Sequence, residues 1–318
     1  MSIISKDIQK AIAILESEDL VAIPTETVYG LAGNIFSEKA ISAIFETKKR
    51  PFFNPLIVHI SGVDKLEQIV SEIPEKAKIL AEKFWPGSMT LVLKKSSKIP
   101  DLITAGKDTV AVRVPNHKVT LELLKKLSFP LAAPSANPFN NISPTKPEHV
   151  ERYFNDTIQM VLDGGACKNG IESTIIGFEN SEPVIYRLGA LAVEDIEAVV
   201  GKVTIKNSKE ENPDAPGMLN KHYAPKTKTI LTTNILQEVE KYNTQKIGVL
   251  SFSPSVKSDA IHAEICLSTT QNLQEAASKL YDAMHELDHL NLDVIIVEKL
   301  PDFGLGKSMN DRLQRASF

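Results

Sequence analysis

The residues of this chain best placed to do chemistry begin with Lys48, Lys49 and Arg50, packed against Pro51-Phe52-Phe53-Asn54-Pro55 and followed by the run Leu56-Ile57-Val58-His59-Ile60. Clustered cations beside a rigid turn suit a polyanion, of which triphosphate is the commonest small one. Alone, the run reads better as a solvated basic turn between a helix and a strand, since charge runs usually face water. Its company shifts that balance. Small hydroxyl, glycine and cationic residues recur just after other hydrophobic runs: PTETVYG (24–30), Thr109 and Arg113 around TVAVRV, APSAN (133–137), Ser143-Pro144-Thr145, Asp163-Gly164-Gly165 and GIEST (170–174). Hydroxyls and backbone N–H groups let phosphate and carboxylate oxygens approach closely. In open α/β sheets such residues converge in the crevice beyond the strand ends.

The elements that must position them follow from periodicity. Helical spacing runs through Ile8, Ala11, Ile12, Ile14 and Leu15, and LVAIP (20–24) reads as a buried strand. Further helices are expected at 38–48, 74–84, 118–127 and 147–154. Strands are expected at 56–60, 89–93, 109–114, 130–136, 160–165, 173–178 and 183–189. This is an α/β or α+β domain of about 200 residues. The polar, Pro- and Lys-rich stretch 202–228 reads as a linker or ordered loop. After it come strand 229–232, helix 234–242, strands 247–251 and 261–266, helix 271–289, strand 294–298 and helix 307–316, a small three-layer α/β unit.

Composition narrows the function classes. Lys and Arg number 36 against 40 Asp and Glu, a net charge of −4. That argues against sequence-independent nucleic-acid binding over a large surface. Cys167 and Cys266, alone and far apart, build neither a disulfide framework nor a zinc site. The opening residues carry acidic side chains and no uninterrupted apolar core, unlike a standard signal peptide, and no 18-residue apolar stretch occurs. A soluble, cytoplasmic protein with no membrane partner is expected.

Taken in order, PTETVYGL, KxRPxxxPLIVHI, FWPGSMTLVL, VAVRVP, APSANP with SPT, DGG with GxESTI, and IYRLGA resemble the YrdC/Sua5 family across residues 5–200. PGMLNKHYAP (216–225) and PDFGLGKSMNDRLQRAS resemble its two-domain Sua5 type. The resemblance implies a YrdC-like twisted mixed sheet with helices over 1–201, a linker with a lid loop over 202–228, and a Rossmann-like α/β/α domain over 229–318. It implies the synthesis of threonylcarbamoyl-adenylate from L-threonine, bicarbonate and ATP. Residues matching the family's threonine site are Thr27, His59, Arg113, Ala133 and Ser173. Its ATP contacts match Arg50, Asn54, Thr109, Ser135, Ser143, Arg187 and Tyr223. Lys48 stands where another basic pocket residue is usual, which with Arg50 makes a catalytic cation pair. Mg2+ is implied as the nucleotide's counter-ion, with no dedicated metal cage. A downstream transferase that passes the threonylcarbamoyl group to adenosine 37 of tRNA is the implied partner, met transiently. The chain departs from the pattern at Lys49, where glycine is common, at Phe139-Asn140, where Ser-Gly is frequent, and at Leu188, where proline is frequent.

Two other readings belong to different classes: a double-stranded RNA-binding module, and a carbamoyl-transfer domain of similar fold. The acidic net charge counts against the first. The zinc-finger and acylphosphatase modules that accompany the second are lacking. Two motifs are decoys. His285-Glu286-Leu287-Asp288-His289 matches the HExxH zinc signature, but helical phasing puts both histidines on the expected solvent face. Gly304-Leu305-Gly306-Lys307-Ser308 resembles the end of a P-loop, yet Pro301 stands where its first glycine would be.

Overall fold

The computed structural model describes residues 2–206, 223–253 and 257–317. The first unit contains β1 (Ile4–Ser5), β2 (Val21–Ile23), β3 (Gly30–Asn34), β4 (Ile57–His59), β5 (Met89–Lys94), β6 (Thr109–Arg113), β7 (Leu131–Ala132), β8 (Val161–Leu162), β9 (Thr174–Glu179), β10 (Glu182–Arg187) and β11 (Thr204–Ile205). They form one mixed sheet in the order β1-β8-β2-β3-β7-β4-β6-β5-β9-β10-β11. Its helices are α1 (Ile8–Glu16), α2 (Glu38–Lys48), α3 (Glu75–Phe84), α4 (Asp101–Thr104), α5 (Lys118–Lys126), α6 (Pro147–Phe154) and α7 (Val193–Val200). Strand β11 pairs with β10 inside the stretch expected to be linker. Strand β3 has no counterpart in the sequence reading: GLAGN carries two glycines and no β-branched residue. It is a strand because β2 and β7 pair with it on both sides.

Alternation along β4 assigns the two faces of the sheet. Val58 enters the main core with Leu91, Val112 and Ile176, beneath Ile41, Ile44 and Phe45 of α2 and Leu80 of α3. Ile57 turns to the other face, with Val92, Ala111, Ile175, Val184 and Tyr186.

Helix α2 delivers the basic segment. Ser37 accepts from the Ala40 N–H to start it, and Ala40, Ile41, Ile44, Phe45 and Lys48 form its buried stripe. It stops in a left-handed turn at Lys49 (φ 52°), closed by the Arg50 N–H on the Phe45 carbonyl at 2.8 Å. The reversal puts Lys48 and Arg50 inside while Lys49 stays exposed. Asn140, at the second departure, is also left-handed (φ 68°). These two of the three departures therefore fall where glycine relieves backbone strain.

The second unit contains β12 (Lys228–Thr232), α8 (Ile235–Lys241), β13 (Ile247–Ser251), β14 (Ile261–Cys266), α9 (Leu273–Asp288), β15 (Val294–Glu298) and α10 (Leu305–Ala316). Its four strands run parallel in the order β12-β15-β13-β14. Ile295 and Val297 face α9 and α10, whereas Val294 and Ile296 face α8, so helices cover both sides. No helix among the described residues is long and apolar enough to cross a membrane.

The α9–α10 layer also packs on the first unit, sharing a core with Val28, Ile142 and Ile171. This overturns the solvent-face expectation for His285. The residue is 3% exposed, stacks on His149 at 4.0 Å, and donates from Nε2 to the Ser143 carbonyl at 3.2 Å. His149 and Tyr153 of α6 and the Ser143 carbonyl, which single-helix phasing does not register, cover that face. His289 is exposed, its Nδ1 bound to the His285 carbonyl. In the P-loop decoy, Lys307 pairs with Glu194 at 2.8 Å, and Gly306 lies so close to the Pro301 carbonyl that a Cβ would sit 1.9 Å away.

Candidate active site

A cavity of about 590 Å³, its open mouth included, lies against the Ile57 face of the large sheet. It is lined by Thr25, Thr27, Val28, Gly30, Arg50, Ile57, His59, Arg113, Ala133, Pro134, Ser135, Glu172, Ser173, Arg187 and Tyr223. Ile57 and His59, two apart on β4, both line it, so the site occupies a sheet face and is not only a crevice beyond strand ends.

One neighbourhood is built on β4 and β6, whose parallel register sets His59 beside Arg113. Burial first, then the Arg113 charge, push the imidazole down to about 3. A neutral ring that meets the Ile57 carbonyl through Nδ1 at 3.2 Å must donate there, which leaves Nε2 with a lone pair. Arg113 is held on three sides: Nη2 on Glu26 at 2.6 Å, Nη1 on the Thr27 hydroxyl at 2.9 Å and Nε on the Gly87 carbonyl at 3.2 Å. A guanidinium has five N–H groups, so one remains on each terminal nitrogen. Glu26 also accepts from Ser88 and from the Asn116 N–H, which fixes the fork's orientation.

The other neighbourhood gathers Arg50 and Arg187. Arg50 donates to the Asn54 and Pro55 carbonyls at 3.2 and 2.8 Å. Arg187 donates to the Ser173 carbonyl through Nε (3.2 Å) and Nη2 (2.8 Å), and through Nη2 to the Ser173 hydroxyl at 3.2 Å. Burial, then the Arg187 charge, bring Arg50 down to about 9. It remains a cation at neutral pH. Two buried guanidiniums lining one wall, near enough for their charges to act on each other, form a potential well for an anion.

Thr27, Arg50, His59, Arg113, Ala133, Ser135, Ser173, Arg187 and Tyr223 thus share one cavity. Lys48, Asn54, Thr109 and Ser143 are not among its lining residues. The Lys48 ammonium is bound to the Ser135 and Asn137 carbonyls, and its own carbonyl accepts from the Phe139 N–H at 2.7 Å. Burial, then Arg50, push it well below its ordinary pKa. In this geometry it pins the 135–139 loop. The turn at Lys49 is what sends the Lys48 side chain inward. Asn54 is wholly buried, and neither polar atom of its amide has a hydrogen-bond partner among the described residues. Thr109 opens β6 on the face that bears Arg113, at the far end of the strand.

Ser143 lies behind the cavity wall. Its hydroxyl meets Oε1 of Glu172 at 2.6 Å. Burial pushes the Glu172 carboxyl up, but the Arg312 and Arg187 charges and the Ser143 hydroxyl hold it below its ordinary range. An ionised carboxylate only accepts, so the Ser143 proton is committed to it and the serine offers lone pairs.

Glu172 is the charged lining residue to which the sequence reading assigns no role, although it stands inside the GIEST cluster. Glu26 and Asn137 were likewise quoted in their motifs without a role. Arg312 of the second unit stands in PDFGLGKSMNDRLQRAS with no role assigned to it, and Tyr281 belongs to none of the motifs. The Tyr281 hydroxyl and Arg312 Nε both reach Glu172 Oε2 at 3.0 Å. The segment proposed as a lid lies outside the described residues except for Tyr223-Ala224-Pro225. The Tyr223 ring stacks on Tyr281 at 5.8 Å, with the Arg312 guanidinium 5.0 Å from its centroid.

Among known families, one described as "Telomere recombination", with the short name Sua5–YciO–YrdC, matches residues 13–189. A second, the C-terminal domain of threonylcarbamoyl-AMP synthase, matches residues 191–317. The threonylcarbamoyl-AMP synthase of Pyrococcus abyssi is 39% identical, over 98% of this chain and 94% of its own length. That of Bacillus subtilis is 38% identical, over 98% and 92%. The crystal structure of P. abyssi Sua5 complexed with L-threonine superposes with a TM-score of 0.91 at 38% identity, covering 98% of this chain and 94% of that one.

Proposed function

Because this chain belongs to the Sua5–YciO–YrdC family in its two-domain form, we propose that its cavity makes threonylcarbamoyl-AMP. The observation that carries the reading is the junction of two unlike neighbourhoods in one cavity: a carboxylate fork with a neutral imidazole, and a pair of buried guanidiniums.

The amine of L-threonine takes up bicarbonate, losing water to become a carbamate. The carbamate oxygen attacks the α-phosphorus of ATP and pyrophosphate departs. The two remaining Arg113 N–H groups grip the threonine α-carboxylate side by side. His59 Nε2 accepts a hydrogen bond from the ammonium or hydroxyl, and Thr27, Ser173 and the Ala133 backbone complete the threonine pocket. Arg50 and Arg187 face the phosphates and neutralise charge that develops during transfer. The unpartnered Asn54 amide, Thr109, Ser135 and Tyr223 serve the nucleotide. Ser143 acts on the nucleotide end through Glu172, whose carboxylate holds the serine proton. No covalent nucleophile is required, and closure against water protects the carbamate and mixed anhydride.

Mg2+ enters with ATP. Glu26 and Glu172, the nearby carboxylates, already accept hydrogen bonds from arginine and hydroxyl partners. The product is an activated acyl phosphate anhydride, so a transferase that delivers the threonylcarbamoyl group to tRNA must consume it.

The test is pyrophosphate release from ATP. Release should require L-threonine and bicarbonate together. Release without threonine, or none with all three substrates, would refute the reading.

A further inference from the structure

We infer that Arg312, on the last helix of the second domain, is a positioning residue for this reaction. It neutralises Glu172 in the cavity wall and thereby keeps the nucleotide end cationic. This deepens the reading of the cavity as the ATP and threonine site, and rests on it.

Arg312 is fully buried, and its guanidinium makes three bonds of distinct purpose. Nε reaches Glu172 Oε2 at 3.0 Å, Nη2 the Leu188 carbonyl at 2.6 Å, and Nη1 Asp311 at 2.8 Å. The first contact balances a carboxylate that lines the cavity. The second holds the backbone directly after Arg187. The same helix clamps the next residue, Gly189, whose carbonyl accepts from Ser308 at 2.8 Å. Gly189 packs so tightly on Ser173 that an added Cβ would lie 2.4 Å from the Ser173 carbonyl carbon. The Ala190 N–H returns to the Glu172 carbonyl at 2.8 Å. Thus α10 grips a strap, 187–190, that carries one nucleotide-facing guanidinium and backs the residue it is anchored to.

The groups facing Glu172 come from every element around it: Arg312 of α10, Tyr281 of α9, Arg187 at the end of β10, Tyr223, and the Ser143 hydroxyl, with Asp311 on the far side of Arg312 as that guanidinium's second carboxylate. Take away Arg312, and a buried carboxylate in the wall faces incoming phosphates with much less compensation. It then either repels the nucleotide or takes up a proton. Its protonation state becomes linked to ATP binding, which predicts a pH dependence that simple loosening of the fold would not produce.

The experiment measures binding of a non-hydrolysable ATP analogue to the full chain by calorimetry between pH 5.5 and 8, alongside threonine binding and thermal unfolding. Arg312→Met should weaken nucleotide binding at least tenfold at pH 8, less so at pH 5.5, and change threonine binding no more than about threefold. In the Glu172→Gln background, adding Arg312→Met should cost less than threefold, with no pH trend. A tenfold loss in that background too would make Arg312 a purely structural residue and overturn the inference. So would unchanged nucleotide binding in Arg312→Met. Should that single variant fail to fold, the comparison within the Glu172→Gln background decides. Binding does not depend on turnover, so failure of the pyrophosphate assay in the wild type sinks the functional reading separately.

Discussion

His59 and Arg113 sit opposite each other on parallel neighbouring strands, and the guanidinium reinforces burial in keeping the imidazole neutral. A neutral ring with Nδ1 donating to Ile57 is a fixed acceptor, not a titrating acid. The pair thus supplies a charge fork and a lone pair side by side, which a zwitterionic amino acid can use at both of its charged groups.

This predicts a pH effect on stability with a definite sign. His59 and His285 are both depressed to about 3, so between that value and the unfolded value of about 6.5 the folded chain binds fewer protons than the unfolded one. Their contribution is fully present above about pH 6.5 and is lost as pH falls below it, by up to about 1.4 kcal/mol per pH unit for each residue. Urea unfolding from pH 7 to 4.5 should show this slope, and His59→Gln should reduce it. An NMR titration in which the His59 ring protonates near pH 6 would contradict the assignment.

Arg113→Lys keeps the charge but loses the planar fork. Threonine binding should weaken more than tenfold while nucleotide binding changes far less, as read by calorimetry with each ligand. Arg113→Ala should also unfold more easily, by about 3–5 kcal/mol, because Glu26 is left buried without its cation.

The division of labour has a mirror test. Arg50→Ala should raise KM for ATP more than KM for threonine, and His59→Ala should do the reverse. Equal losses for both substrates in both variants would show that the two neighbourhoods do not act separately.

Lys48→Met separates a pin from a catalytic cation. As a pin on the Ser135 and Asn137 carbonyls, Lys48 should on removal cost about 1–3 kcal/mol per orphaned group in unfolding free energy and raise KM for ATP. A large fall in kcat with unchanged stability and KM would instead assign it to the reacting phosphates.

Lys49→Gly should stabilise the protein by about 0.5–1 kcal/mol in chemical denaturation. The residue ends α2 at φ 52°, a conformation glycine adopts without a Cβ penalty. Activity should be retained, since the Lys49 side chain is exposed while its neighbours turn inward.

Much of this was legible in the residues themselves. Helix α2 and strands β13, β14 and β15 occupy the ranges their periodicity indicates, because short-range spacing and propensity suffice for such elements. Strand β3 was not legible, since GLAGN becomes a strand only through its neighbours. The chemistry of the cavity was legible as residue types: forks for carboxylate and phosphate, hydroxyls, one strand histidine. Tertiary structure decided how those types are used. It placed the site on the sheet face shared by Ile57 and His59, turned Lys48 inward as a loop pin, and buried His285 between two domains. It also joined Glu172 to Arg312, 140 residues apart. Local sequence determines what a segment can form and what a side chain can bind. Which charge meets which counter-charge depends on how distant segments pack, and burial then sets the strength of that meeting.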